Sequence, residues 1–262
     1  MRDYDRDAVQ VRLINLGFNV DVIGEEQDAK RPDLLATKAG ARMFVEVKSR
    51  VEDGALRPDM EAVPAGSTKV LLTSLDKRNS LSAYIKQANR QLAEVAGPDD
   101  FRLLWFRADD GPFVHDARDQ IGATLLGIRK VLVKTVLGKN VRDCLYAGYA
   151  DFHRFRDIDG VMIEVGGAII LLLNQFSPRA TAFAASPISE AVSNSVFDAT
   201  KPAKNDPFYV VDGDVDRKSD EAVLQFLRAK YSEDQFLRFV EHRAGTVMTT
   251  IDARSFRHGS ER

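Results

Sequence analysis

A mixed α/β fold is predicted by three features of this 262-residue chain. Short runs rich in β-branched and aromatic residues, such as Met43–Val47 and Phe101–Arg107, have the composition and length of strands. Between them, Leu81, Ile85, Ala88 and Leu92 recur at three- and four-residue spacing, the apolar stripe of a helix packed on a core. Turn signals such as Ala39-Gly40, Gly97-Pro98 and Gly166-Gly167 punctuate the two kinds of segment.

The elements follow in order. An amphipathic helix precedes Leu16-Gly17-Phe18-Asn19-Val20, and a strand is expected at about 19–24. Leu34, Leu35 and Ala36 form a short apolar run, Ala39-Gly40 turns the chain, and Met43–Val47 returns it as an antiparallel partner. The striped helix starts near Ser80, a plausible N-cap, and stops at Gly97-Pro98. Phe101–Arg107 then reads as a strand, Asp116–Leu126 as a helix and Arg129–Val136 as a strand. Residues 137–143, with Gly138, Lys139 and Asn140, read as a loop and a boundary. Strands are expected at Leu145–Tyr149, Val161–Val165 and Ala168–Leu173, the last two joined as a hairpin by Gly166-Gly167. Residues 151–160 read as a polar loop closed by a turn at Asp159-Gly160. Phe197–Lys218, broken by Pro202 and Pro207, reads as a linker or long loop. Ser219-Asp220-Glu221 opens a helix to Tyr231, Glu233–His242 suggests another, and the last ten residues look frayed.

The 31–50 segment carries the chemistry. Side chains alternate along a strand, so Phe44, Glu46 and Lys48 share one face and Met43, Val45 and Val47 the other. Asp33 enters the same ribbon from the facing strand. Magnesium takes oxygen ligands, keeps several waters and is commonly held by one or two carboxylates plus substrate phosphate oxygens. Asp33 and Glu46 are the candidate carboxylates, with the Val47 carbonyl as a third oxygen. Lys48, a compact point charge, is placed to orient a water or neutralise a phosphate.

Pro32-Asp33 followed by Glu46-Val47-Lys48 resembles the PD-(D/E)XK nuclease superfamily, the restriction-endonuclease-like fold, over roughly residues 5–110. The approach through Leu16–Val20 to Pro32-Asp33 is similar to that of Holliday-junction-resolvase-like small nucleases. The resemblance implies a mixed central sheet flanked by helices, in a domain placed at residues 1–136; the strand and helix patterns beyond it suggest an α+β region of unassigned role over 137–262. It implies a Mg2+-dependent endonuclease, with Mn2+ as substitute, that hydrolyses phosphodiester bonds in DNA. It also implies an early acid in the first helix at the metal site, Asp7 before Asp5. A glutamine or basic residue on the helix after the acid-x-Lys strand would steady the site, and Gln87 is nominated.

Composition narrows the alternatives. A net charge of −2 does not advertise a polyanion partner. Basic residues nevertheless cluster at Lys77, Arg78, Lys86 and Arg90 and at Arg129, Lys130, Lys134, Lys139 and Arg142. Arg50, Lys86, Arg90, Arg129, Lys130 and Lys134 are the candidate nucleic-acid contacts, and a solvated basic face is the competing reading of each cluster. One cysteine, Cys144, and four scattered histidines provide neither a disulfide nor a zinc-ligand spacing. Asp212, Asp214 and Asp216 mimic a calcium loop, but Arg217 and Val223 stand where such a loop needs glycine and glutamate. A charged N-terminus and short apolar runs point to the cytoplasm and away from a membrane. A homodimer is expected, because one site per chain cuts both strands of a duplex most easily across a two-fold axis. Two readings rival the nuclease: a member of the same fold that binds nucleic acid or a protein partner without cutting, and an α/β protein with a coincidental motif.

Overall fold

The helix expected ahead of Leu16 forms over Asp3–Asn15 (α1) in the computed structural model of the chain. The structure describes residues 3–24, 31–49, 68–74, 79–108, 114–135, 138–201, 208–231, 236–241 and 243–249. Three strands follow α1: Asn19–Val22 (β1), Leu34–Lys38 (β2) and Ala41–Ser49 (β3). They form an antiparallel meander in which Leu34 faces Val45 and Lys38 faces Ala41. Ala39 and Gly40 take φ values of 50° and 81°, the two left-handed residues that a tight hairpin with native twist requires.

Strand β4 (Thr68–Ser74) leaves this sheet and pairs antiparallel with β13 (Arg243–Thr249). Helix α2 (Asn79–Val95) and β5 (Phe101–Ala108) return the chain, and β5 lies parallel to β3. Helix α3 (Val114–Leu126) leads into β6 (Arg129–Thr135) and β7 (Gly138–Leu145), which form a hairpin. After the short helix α4 (Asp151–Arg154), β8 (Gly160–Val165) runs parallel to β5, and β9 (Ala168–Leu173) returns antiparallel through Gly166-Gly167. Helices α5 (Ala180–Ala184) and α6 (Pro187–Ala191) precede β10 (Val196–Phe197) and β11 (Tyr209–Val210). Helix α7 (Asp220–Tyr231) and β12 (Phe236–Val240) precede β13.

Among the described residues the strands make a seven-stranded mixed sheet, β1-β2-β3-β5-β8-β9-β10, and a four-stranded sheet, β11-β7-β6-β12. Both faces of β3 are covered. Val45, Val47 and Trp105 pack with Val9 and Leu13 of α1, while Phe44, Leu104 and Phe106 pack with Leu81, Ile85, Ala88 and Leu92 of α2. The α2 stripe read from sequence is therefore its buried face. The core on the α2 side continues through Ile121 and Leu125 of α3 to Val131, Val133 and Leu227, so it joins the two sheets. Among the described residues no helix is long and apolar enough to cross a membrane.

Several sequence expectations need correction. Residues 138–143 are strand rather than loop, and β7 ends at Leu145, so the strand expected at 145–149 does not form beyond it: Tyr146 is left-handed at φ 58° and donates its N–H to Leu126 O. A division after residue 136 falls inside the β6–β7 hairpin, and β8, β9 and β10 extend the first sheet. Residues 236–240 are strand, not the helix expected over Glu233–His242, and 243–249 pair with β4. Residues 250–262 and 202–207 lie outside the described residues.

The polar stretch before β8 is not a solvated loop. Asp159 is fully buried, and its two carboxylate oxygens share the Arg179 Nε–H (3.1 and 3.0 Å) and accept from the Ser177 hydroxyl and the Arg102 N–H (2.8 Å). Burial raises its pKa while Arg179 and Ser177 pull it back, and a carboxylate so fully partnered clasps β5, β8 and the turn after β9 together. Gly160 next to it packs so closely that a Cβ there would lie 2.4 Å from the buried Phe183 ring. Gly160→Ala should cost about 1–3 kcal/mol in denaturant unfolding, because overpacking forces a buried ring off its site; wild-type stability would contradict this packing.

Candidate functional site

Strand β2 begins where Pro32, lacking an N–H, gives way to Asp33. The Asp33 N–H donates to Val45 O (3.0 Å), its carbonyl accepts from Ile23 N–H (3.0 Å), and its carboxylate Oδ2 accepts from Val47 N–H (2.7 Å). A side chain thus takes the place of a main-chain acceptor just beyond the last β2–β3 pair, Leu34 with Val45. This bond fixes Asp33 on the face that carries Glu46. In a strand the N–H and C=O of one residue point to the same side, so the Val47 carbonyl faces the same edge.

Glu46 is 1% exposed, between the strands and α2. Its Oε1 accepts a hydrogen bond from Lys48 Nζ, while its buried Oε2 has no hydrogen-bond partner among the described residues. Burial, and then the charge of Asp33, push its pKa up to about 7 against the opposing pull of Lys48 and Gln91. Two carboxylates and a lysine therefore meet where the sheet passes beneath α2. The alternation of Phe44, Glu46 and Lys48 along β3 places them as the sequence predicts.

Helix α2 brings Gln91, not Gln87, to the site. Gln91 is buried, donates through Nε2 to Arg31 O (3.2 Å) and lies against the Glu46 carboxylate, while its own buried Oε1 has no hydrogen-bond partner among the described residues. Gln87 sits one turn earlier and is only half-buried. The signal was present: Gln91 falls three residues after Ala88 and beside Leu92, within the buried stripe.

The acid in the first helix also differs. Asp7 is exposed and pairs with its neighbour Arg6 (3.3 Å), so it does not join Asp33 and Glu46. Asp5 is the buried acid, bonded to Arg107 Nη1 (2.6 Å) and to the Ser49 hydroxyl. Ser49 and Arg107 share the parity of Val47 and Trp105, so this cluster lies on the α1 face of the sheet, opposite Glu46. Asp5, Val9 and Leu13 recur every four residues, and that spacing singles out Asp5 from sequence.

Of the basic candidates, Arg129 is engaged by Asp220 (2.6 and 3.1 Å) and lies over the Phe239 ring at 3.9 Å, and Lys130 pairs with Asp143 at 2.5 Å. Lys134 and Lys86 are exposed, Arg90 is exposed beside Glu94 (3.6 Å), and Arg50, Lys77 and Arg78 lie outside the described residues. Among the described residues no group of three or more His, Cys, Asp or Glu side chains gathers around a common metal position. Cys144 is buried, its thiol pushed up to about 12 by that burial, and takes no part.

No family model matches the chain, and neither a curated protein nor a solved structure does.

The raised pKa of Glu46 links the site to stability. A group whose pKa is higher in the folded than in the unfolded chain stabilises the fold fully below its unfolded value, and that contribution is lost as pH rises through the folded value. In the absence of metal, wild type should therefore lose on the order of 3 kcal/mol between about pH 4.5 and 7 relative to Glu46→Gln, which has no such titration. Parallel pH profiles of thermal unfolding for the two proteins would show that Glu46 titrates normally.

Proposed function

We propose that the chain is a metal-dependent phosphodiesterase acting on nucleic acid, with DNA the first substrate to test. The observation that carries this reading is the placing of Asp33 beside a buried Glu46 whose Oε2 finds no hydrogen-bond partner of good geometry among the described residues. Like charges in a dry place raise one another's pKa, and a divalent cation between them relieves both the repulsion and the unsatisfied oxygen. Hard oxygen donors suit Mg2+ or Mn2+, and Asp33, Glu46 and the Val47 carbonyl are the residues that would hold the ion. Bound there, it would make a water acidic enough to attack and offset charge building on a phosphate.

The protein's own groups have distinct tasks. Lys48 holds the Glu46 carboxylate now and lies close enough to neutralise a phosphate oxygen or orient a water. Gln91 ties the Arg31 carbonyl and Glu46 to one helix, so the segment entering Asp33 and the acid-x-Lys strand keep their relative positions. Apart from β4, which pairs with β13 outside the first sheet, the order helix, strand, hairpin, helix, strand from α1 to β5 is the one that the PD-(D/E)XK resemblance implies, and it supports the restriction-endonuclease-like reading of the first sheet. The direct Lys48–Glu46 ion pair favours a second reading, a non-cleaving member of the same fold in which the lysine alone compensates the buried acid.

Cleavage assays separate the two. Duplex DNA should be cut in Mg2+ or Mn2+ and held uncut in Ca2+, whose larger, looser oxygen shell does not impose the required geometry. Asp33→Asn, Glu46→Gln and Lys48→Ala should each lower the rate at least about 100-fold, the scale of losing one charge-stabilising group. Cutting that persists undiminished in excess chelator would sink the metal reading, and absence of cutting with every divalent ion and nucleic acid tried would favour the non-cleaving one.

A further inference from the structure

The second sheet exposes a basic face that the cleavage site does not use. In β6, Val131 and Val133 point into the core beneath α7, so Lys130, Leu132 and Lys134 point outward. Register extends this outer face across its neighbours. Lys139 lies opposite Lys134, Val141 opposite Leu132, Asp143 opposite Lys130, and Arg238 of β12 flanks Leu132 on the other side. Val141 is 47% exposed and Leu237, at the β12 bulge, 38%, so the face is open to solvent.

Its charge runs against that of the whole chain. Among the described residues, Lys130, Lys134, Lys139 and Arg238 meet one acid on this face, Asp143, which Lys130 already neutralises. Lys134, Lys139 and Arg238 form no ion pair among the described residues. Like charges directly opposite one another on a ladder destabilise a sheet, so the Lys134/Lys139 pair costs the fold something that a polyanion would return. Lys130 and Lys134, four residues apart, are separated by roughly 13 Å along the strand, which gives an elongated rather than point-like anion footprint.

We infer that the outer face of β7-β6-β12 is a nucleic-acid backbone-binding surface, separate from the Asp33/Glu46 site, with Lys134, Lys139 and Arg238 as its phosphate contacts. The choice of nucleic acid over another polyanion rests on the phosphodiesterase reading; the basic face itself does not. Phosphate contacts hold a substrate in place without reading its sequence, so binding here is general and salt-sensitive. Arg129, engaged by Asp220 and Phe239, is not part of this surface.

The test is fluorescence anisotropy of a short labelled duplex DNA across a salt series in EDTA, with Asp33→Asn as the non-cleaving parent. Lys134→Gln/Lys139→Gln in that parent should bind at least ~10-fold more weakly at low salt, and its slope of log affinity against log salt should be shallower by about 2. Lys201→Glu changes the net charge by the same amount at an exposed position on another part of the fold and should leave both quantities unchanged. Circular dichroism melts should show the double variant at least as stable as its parent, since a repulsive pair is removed. Equal affinity and slope in parent and double variant, or equal losses in Lys201→Glu, would overturn the inference. So would equally tight binding of poly-glutamate, which would mark a general polyanion face. Loss of binding in the double variant while wild type fails to cleave would sustain this surface and refute the phosphodiesterase instead.

Discussion

A buried Glu46 held near the half-buried Asp33 is the constraint around which the first sheet is arranged. Left to itself, Glu46 would avoid burial or take a proton, and Asp33 beside it makes ionisation harder still. The fold nevertheless keeps both in position. The Asp33 carboxylate is fixed by the Val47 N–H, and Glu46 by its place on a strand with helices on both faces. An acid pair maintained at this cost marks a functional site more often than a structural one, and here the nearby cation is the compact charge of Lys48, bonded to Glu46.

The surrounding scaffold restricts that pair's freedom. On one face, α1 closes the end of β3 through Asp5, Ser49 and Arg107; on the other, α2 lays its apolar stripe over Phe44 and sends Gln91 towards Glu46. The parallel strands β3, β5 and β8 are buried on both sides and set the plane, while the Asp159 clasp locks the opposite ends of β5 and β8. Since one core runs from α2 through α3 into the second sheet, the acid site and the basic outer face of β6-β7-β12 belong to one packed unit.

Much of this geometry was legible in the residues. The two-residue turn at Ala39-Gly40 sets the hairpin register, and alternation along β3 then assigns Glu46 and Lys48 to the α2 face. The errors have physical causes. Gly138–Val141 projects as an exposed hairpin end and carries no one-sided apolar pattern, so it reads as loop. In β12 the bulge between Phe236 and Arg238 breaks the two-residue period, and Phe236, Phe239 and Val240 fall at helical spacing. Asp7 and Gln87 rest on the family resemblance alone, which fixes no register on either helix, whereas Asp5 and Gln91 follow from the face each helix buries against the sheet. Pairing of β8–β10 with the first sheet depends on contacts far apart in sequence, which local pattern does not encode.

Calorimetric titration of Mg2+ into the substrate-free protein in buffers of different ionisation enthalpy tests the central claim most directly. If Asp33 and Glu46 form one cation site, binding should release close to one proton per ion below about pH 7, the value to which Glu46 is raised, and fewer above it. Affinity should therefore climb with pH and level off, and it should vanish in Asp33→Asn and Glu46→Gln while both variants remain folded. Binding that is independent of pH, or that survives in either variant, would contradict the account.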